Sequence, residues 1–223
     1  MFNAHAGGEK SIEVDHVVGP IRRNDMAVDT ANLAALIGSR ICHDLISPVG
    51  AINNGLELLA MSGAMAGPEL ELISDSVLNA NARIRFFRIA FGAAGDQQMG
   101  RAEIVSVLDD IGKAGRLKYQ WNLAEGCSRS EVRMAFLAAL CLETALPYGG
   151  LISVSCTDGK WTVVGEGRKI SIEALLWGHV DTSDTSATLT PAQVQFAMLA
   201  VAAQEAERQV SFDHSEEKVT VWF

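Results

Sequence analysis

Aromatic residues are scarce in this chain, at 6% of 223 positions. That scarcity favours a core packed from Leu, Ile, Val and Ala, as helical proteins pack theirs. Basic residues are outnumbered, 18 against 27 acidic ones, for a net charge of −9. Such a balance argues against broad nucleic-acid binding and against docking on anionic lipid, both of which need a basic surface. The four cysteines, Cys42, Cys127, Cys141 and Cys156, form no CxxC pair and no Cys/His ligand spacing. They read as reduced thiols in a cytoplasmic protein. No apolar run is long enough to span a bilayer, and the N-terminus lacks the plan of a signal peptide. The other histidines, His5, His16, His179 and His214, have no metal-ligand spacing, so no metal site is expected. No internal repeat is visible.

What is present is amphipathic periodicity. Residues 1–28 show none and read as a flexible N-terminal segment. From Asp29–Thr30, either of which could cap a helix, Leu33, Ile37, Ile41, Leu45, Val49, Ile52, Leu56 and Leu59 recur as one long stripe. The stripe runs out at Met61–Gly67. Pro68, with Glu69 and Glu71 behind it, suits the start of a second helix. Leu70, Ile73, Val77, Ile84, Phe87 and Phe91 carry that helix to Gly92 and Gly95. Two such helices make an antiparallel hairpin over 29–95. Alone it cannot bury both stripes, so two hairpins are expected to pair as a four-helix bundle in a homodimer. The alternative is a hairpin packed on its own C-terminal domain.

Residues 100–223 change rhythm. Helices are expected at 102–114, 130–146, 171–178 and 191–207. Strands are expected at 116–123, 151–156, 161–164, 210–212 and 218–223, with a hairpin at Asp158-Gly159. This gives an α+β chain, the helical hairpin followed by a two-layer α/β sandwich. Trp161, Trp177 and Trp222 are expected to anchor its core.

The chemistry concentrates in Ser39-Arg40-Ile41-Cys42-His43-Asp44-Leu45-Ile46-Ser47-Pro48. At about 100° per residue, His43 points away from the stripe of Ile41 and Leu45. Leu36, Arg40, Ser47, Gly50 and Asn54 share its face, which apart from Leu36 is small or polar. An open imidazole there has one nitrogen lone pair free to attack phosphorus. Asp44 is placed to hydrogen-bond the other ring nitrogen or manage its proton. Pro48 removes a helical hydrogen bond and is expected to bend the helix just below His43. A lone surface histidine is ordinarily solvated; the costly proline beside His-Asp argues for a use. Arg40, one turn away, is a candidate for steering a phosphorylated partner. Arg83, Arg85 and Arg88 read as solvated charges.

His43-Asp44-x-x-x-Pro48 on the first helix of a hairpin resembles the H-box of sensor histidine kinases, whose hairpin also precedes an ATP-binding α/β sandwich. The stretch HDLISPVGAINNGLELL resembles the ChpT-type histidine phosphotransferases of cell-cycle phosphorelays. The kinase sandwich carries an Asn that holds magnesium; the matching helix here ends Leu142-Glu143-Thr144-Ala145-Leu146. In place of the kinase's Asp-x-Gly-x-Gly loop stands Gly165-Glu166-Gly167-Arg168-Lys169. The later glycine-rich loop is replaced by the Ser/Thr-rich Asp181–Thr190.

The resemblance therefore implies a degenerate ATPase-like domain that binds no ATP. It implies no cofactor, with magnesium supplied by a partner receiver domain. The implied reaction is relay of a phosphoryl group from the receiver of a hybrid histidine kinase, through His43, to a response regulator. Arg168 and Lys169, at the tip where a nucleotide loop would have been, are candidate contacts for that receiver. A divergent histidine kinase and a non-enzymatic dimeric scaffold are the alternatives.

Overall fold

The computed structural model describes residues 23–62, 68–93, 95, 97–182 and 189–223. The expected flexible segment 1–28 lies outside the described residues up to residue 22. Helix α1 spans Arg23–Ser62 and α2 spans Pro68–Ala90. Helix α1 thus begins at Arg23, upstream of the Asp29–Thr30 caps suggested by the sequence. The sequence carries no sustained apolar rhythm before residue 29, so periodicity did not mark that start. The two helices approach closely at Gly55, which is buried; a Cβ there would lie 2.5 Å from Ile73 Cγ1.

The C-terminal part follows in the order β1 Gln98–Met99, α3 Arg101–Ala114, β2 Leu117–Trp121, β3 Cys127–Ser128, α4 Arg129–Ala145, β4 Gly150–Thr157, β5 Lys160–Glu166, α5 Ala174–Thr182, a 3-10 turn Pro191–Gln193, α6 Val194–Glu205, β6 Ser211–His214 and β7 Lys218–Trp222. The sheet order is β2-β4-β5-β7-β6, with only the β2–β4 pair parallel. Asp158 and Gly159 both take positive φ, 52° and 77°, and join β4 to β5 as a tight two-residue turn. Asp-Gly suits such a turn, since φ > 0 is cheap for Gly and tolerated by Asp and Asn. The two-residue ladder β1–β3 has no alternation long enough to be read in advance.

One sheet face is sealed by α4 and its neighbours. Ile152, Val154, Trp161, Val163, Val219 and Val221 are buried on it. The alternate residues, Ser153, Ser155, Thr162 and Thr220, are half-buried, so this is a two-layer sandwich with one wet face. Trp161 and Trp177 are core anchors as expected. Trp222 is not: it is half-buried on the open face, with Lys160 Nζ 5.4 Å from its ring centre. The strand register explains this, because Trp222 falls out of phase with Val219 and Val221. Helix α4 starts on a capping box, with Glu131 N bonded to Ser128 Oγ and Ser128 N bonded to Glu131 Oε2.

Hairpin and sandwich share a single core. Phe86 of α2 stacks on Phe136 of α4 at 4.6 Å, and Phe87 and Ile89 are buried beside it. The foot of α1 leans on the same body through Leu33, Leu36, Ile37 and Ile41. Leu36 therefore faces the sandwich rather than sharing an open face with His43, which removes the one apolar residue from that face. Among the described residues, no helix is long and apolar enough to cross a membrane.

Upward from this seam the hairpin is bare. Val49, Leu56, Leu58, Leu70, Val77, Leu78 and Ile84 are each more than a third exposed. Phe86→Ala should lower the free energy of unfolding by about 3–5 kcal/mol, the usual cost of emptying an aromatic site in a packed core. Chemical denaturation measures it; a loss under 1 kcal/mol, on the order of a surface change, would show that the seam is not a shared core.

Candidate functional site

Helix α1 runs through Pro48 without a break, and Pro48 is buried. Its missing N–H would have bonded the carbonyl four residues back, which is that of Asp44. The gap in the helical ladder therefore falls at the residue next to His43. His43 is 81% exposed at the side chain. Ser47 and Asn54 are exposed on the same strip, and Gly50 leaves open space around its Cα. Ile46, 69% exposed one turn along, joins them. Sequence periodicity missed Ile46 because it lies off the buried stripe. An unburied isoleucine three residues from the histidine was the available signal.

His43 Nδ1 lies 3.0 Å from Asp44 Oδ1. The other carboxylate oxygen, Oδ2, accepts a hydrogen bond from Arg40 Nε at 2.9 Å and lies 3.5 Å from Arg83 Nη1. Arg40 also donates from Nη1 to the carbonyl of Ala192 at 2.7 Å, in the 3-10 turn of the sandwich. Arg83, on α2, donates from Nε to Asn79 Oδ1 at 3.1 Å. Two expectations change here. The Arg40 guanidinium is turned inward onto Asp44 and Ala192, and only 13% of the side chain is exposed. Arg83 is engaged rather than solvated. Arg85 is also paired, to Asp110 at 2.6 Å, while the backbone carbonyl of Arg88 accepts from Arg129.

Behind Asp44 a small cavity of about 50 Å³ opens between hairpin and sandwich, with Arg83, Phe87, Arg116, Tyr119 and Glu143 among its lining residues. It has room for a few water molecules, not for a nucleotide. Burial pushes the Glu143 carboxyl above its usual range; Arg40, Arg83 and Arg116 oppose that rise and Asp44 adds to it. Burial likewise raises the Tyr119 hydroxyl, helped by Glu143 and opposed by Arg83. Glu143 lies near the end of α4, the helix whose sequence carries no Asn.

Arg168 and Lys169 are exposed on the loop after β5. That loop is tied down by Gly167 N to the Glu217 carbonyl and Ser171 N to the Ala145 carbonyl. A Cβ at Gly167 would meet Leu146 Cδ2 at 2.6 Å and the Gly149 carbonyl at 2.9 Å. The loop thus rests directly on the turn after α4, and among the described residues no hydrogen bond or ion pair joins its two basic residues to His43. Among the described residues no cluster of His, Cys, Asp and Glu is arranged to hold a metal.

Chemically, this is an exposed imidazole with one nitrogen engaged and the other free, beside a carboxylate whose charge is held by two cations. The family described as histidine phosphotransferase C-terminal domain matches residues 101–218. The protein phosphotransferase ChpT of Brucella abortus (strain 2308) is 37% identical over 154 residues, which is 66% of this chain and 73% of that protein. The solved 1.7 Å structure of a bacterial phosphotransferase is 30% identical over 86% of this chain and 95% of that one, with a TM-score of 0.72.

The raised Glu143 has a consequence for stability. The folded chain keeps this proton to higher pH than the unfolded chain does, so stability falls as pH rises past the ordinary glutamate range. Glu143→Gln removes that loss. Its thermal midpoint should match wild type near pH 4 and exceed it at pH 7. A wild-type chain that gains on the variant as pH rises would show that Glu143 is stabilised as the anion instead.

Proposed function

The chain belongs to the histidine phosphotransferase family, and on that premise we propose that His43 is the phosphoryl carrier of a relay between two receiver domains. The observation that carries this reading is the exposed His43 ring, tied by Nδ1 to Asp44 and open at Nε2. A phosphorylated receiver, as of a hybrid histidine kinase, docks over His43, Ile46, Ser47, Gly50 and Asn54. The Nε2 lone pair attacks phosphorus in line, the P–N bond forms, and the P–O bond to the receiver's aspartate breaks with the electrons leaving on the carboxylate. The Nδ1 proton stays where it is. The ring becomes cationic and Asp44 Oδ1 stabilises it. The reverse step hands the group to the aspartate of a response regulator.

In this proposal magnesium and the aspartate belong to the receiver, and this chain contributes position and electrostatics. Two features support a route without ATP. Glu143 occupies the helix where a kinase resemblance would require a magnesium-binding Asn, and the loop of Gly165 and Gly167 is packed on Leu146. Arg168 and Lys169, exposed at that end of the sandwich, are the cations we assign to contact with the receiver. A cytoplasmic setting, where receivers reside, accords with this role.

We also propose a homodimer through the hairpin. The bare apolar face from Val49 to Leu58 on α1, with Leu70 to Ile84 on α2, supports it, since a face of this kind marks an interaction surface. Pairing two such faces makes a four-helix bundle.

Incubation with a radiolabelled phospho-receiver should place an acid-labile, base-stable label on the wild-type chain and none on His43→Ala, while labelled ATP alone should give no label. Uptake by His43→Ala would remove His43 from the reaction. For the dimer, light scattering should give twice the chain mass. Leu56→Glu with Val77→Glu should weaken association at least tenfold, since each buried side chain of this size is worth about 1.5–3 kcal/mol; a monomeric wild type would exclude the bundle.

A further inference from the structure

Asp44 faces charges from three helices. Arg40 stands on its own helix, Arg83 on α2 and Glu143 on α4, with Arg116 beside Glu143 in the turn before β2. The two carboxylate oxygens are divided among these groups. Oδ2 takes Arg40 Nε and the Arg83 guanidinium, and Oδ1 is left for His43 Nδ1. Arginine four residues before aspartate is the weaker direction for a helical ion pair. A third anchor compensates, because Arg40 Nη1 is pinned by the Ala192 carbonyl of the sandwich. Arg83 is pinned in turn by Asn79 Oδ1. The Asp44 side chain itself is only 10% exposed, so water screens this arrangement poorly.

We propose that Arg40 and Arg83 are positioning residues for phosphotransfer: by occupying Oδ2 they fix the orientation of the Asp44 carboxylate, with Oδ1 as the sole acceptor for His43 Nδ1–H and Nε2 as the attacking nitrogen. This rests on the reading of His43 as the phosphoryl carrier. Which nitrogen of a histidine carries the proton is set by the hydrogen bond the other makes. A carboxylate free to turn would hold the ring in no fixed tautomer. The same clamp gives the sandwich a task at the site, since Ala192 holds Arg40 and Arg40 holds Asp44. Neither arginine meets the partner's phosphate; each acts through Asp44.

The test uses the full chain with nitrogen-15-labelled histidine, as wild type, Arg40→Gln, Arg83→Gln and Arg83→Lys. Arg85→Gln, on the same helix but paired to Asp110, is the control. The neutral wild-type ring should show a protonated Nδ1 and a bare Nε2, and the product should be Nε2-phosphohistidine. Each Gln variant should lower the transfer rate at saturating phospho-receiver about tenfold, the loss of a hydrogen bond to a charged group. The half-saturating receiver concentration should stay put, and the Nε2–H tautomer should grow. Arg83→Lys should recover part of the rate, and Arg85→Gln should match wild type.

A rise in half-saturating concentration with rate and tautomer unchanged would mean that the arginines bind the partner directly, and would overturn the proposal. A wild-type ring protonated mainly on Nε2 overturns it too, whether or not the variants fold. If the wild-type chain takes no label from any phospho-receiver, the relay reading fails instead, while the ring spectra still judge the clamp.

Discussion

The Asp44 carboxylate meets an imidazole on one oxygen and two guanidinium groups on the other. Everything that makes His43 chemically distinct from a solvated surface histidine passes through that division. Two cations around one carboxylate would leave an excess of positive charge at a mostly buried point. Glu143, on α4, lines the same cavity as Asp44 and Arg83, and its burial raises its own carboxyl above the usual range. The site therefore exists only where hairpin and sandwich touch. Neither part alone holds Asp44, Arg83, Ala192 and Glu143 together.

That dependence gives the sandwich a physical role at the site. Its sheet, sealed on one face and wet on the other, supports α4 and the 3-10 turn at fixed distances from α1. The Phe86–Phe136 stack, with Leu33, Leu36, Ile37 and Ile41 of α1 partly buried against the same cluster, makes the junction a continuous core rather than a hinge. A phosphoryl carrier needs a ring that is open to its partner yet fixed in orientation. The fold meets both demands by exposing the ring and burying the residue that orients it.

Much of this was legible before any coordinates. Asp158-Gly159 announced its hairpin because few residues accept two successive positive φ angles. The long stripes on α1 and α2 announced a helical pair, and the same arithmetic turned His43 outward. Other features were illegible for equally physical reasons. The ladder β1–β3 is too short to have a period. Trp222 was assigned to the core by its size, but strand register sent it to the open face. Ile46 was passed over because periodicity finds what is buried and says little of what is left out.

The amino-acid order alone therefore determined the hairpin, the alternation of helices and strands, and the pairing of His43 with Asp44, because each depends on residues a few positions apart. Tertiary structure decided the rest. Arg40 and Arg83 look like free surface cations along the chain, Arg40 three residues before His43 and Arg83 40 residues after it. Only the packing of α2 and of the turn at Ala192 against α1 aims both at one oxygen of Asp44, since no local rule specifies which charges a carboxylate will meet across an interface.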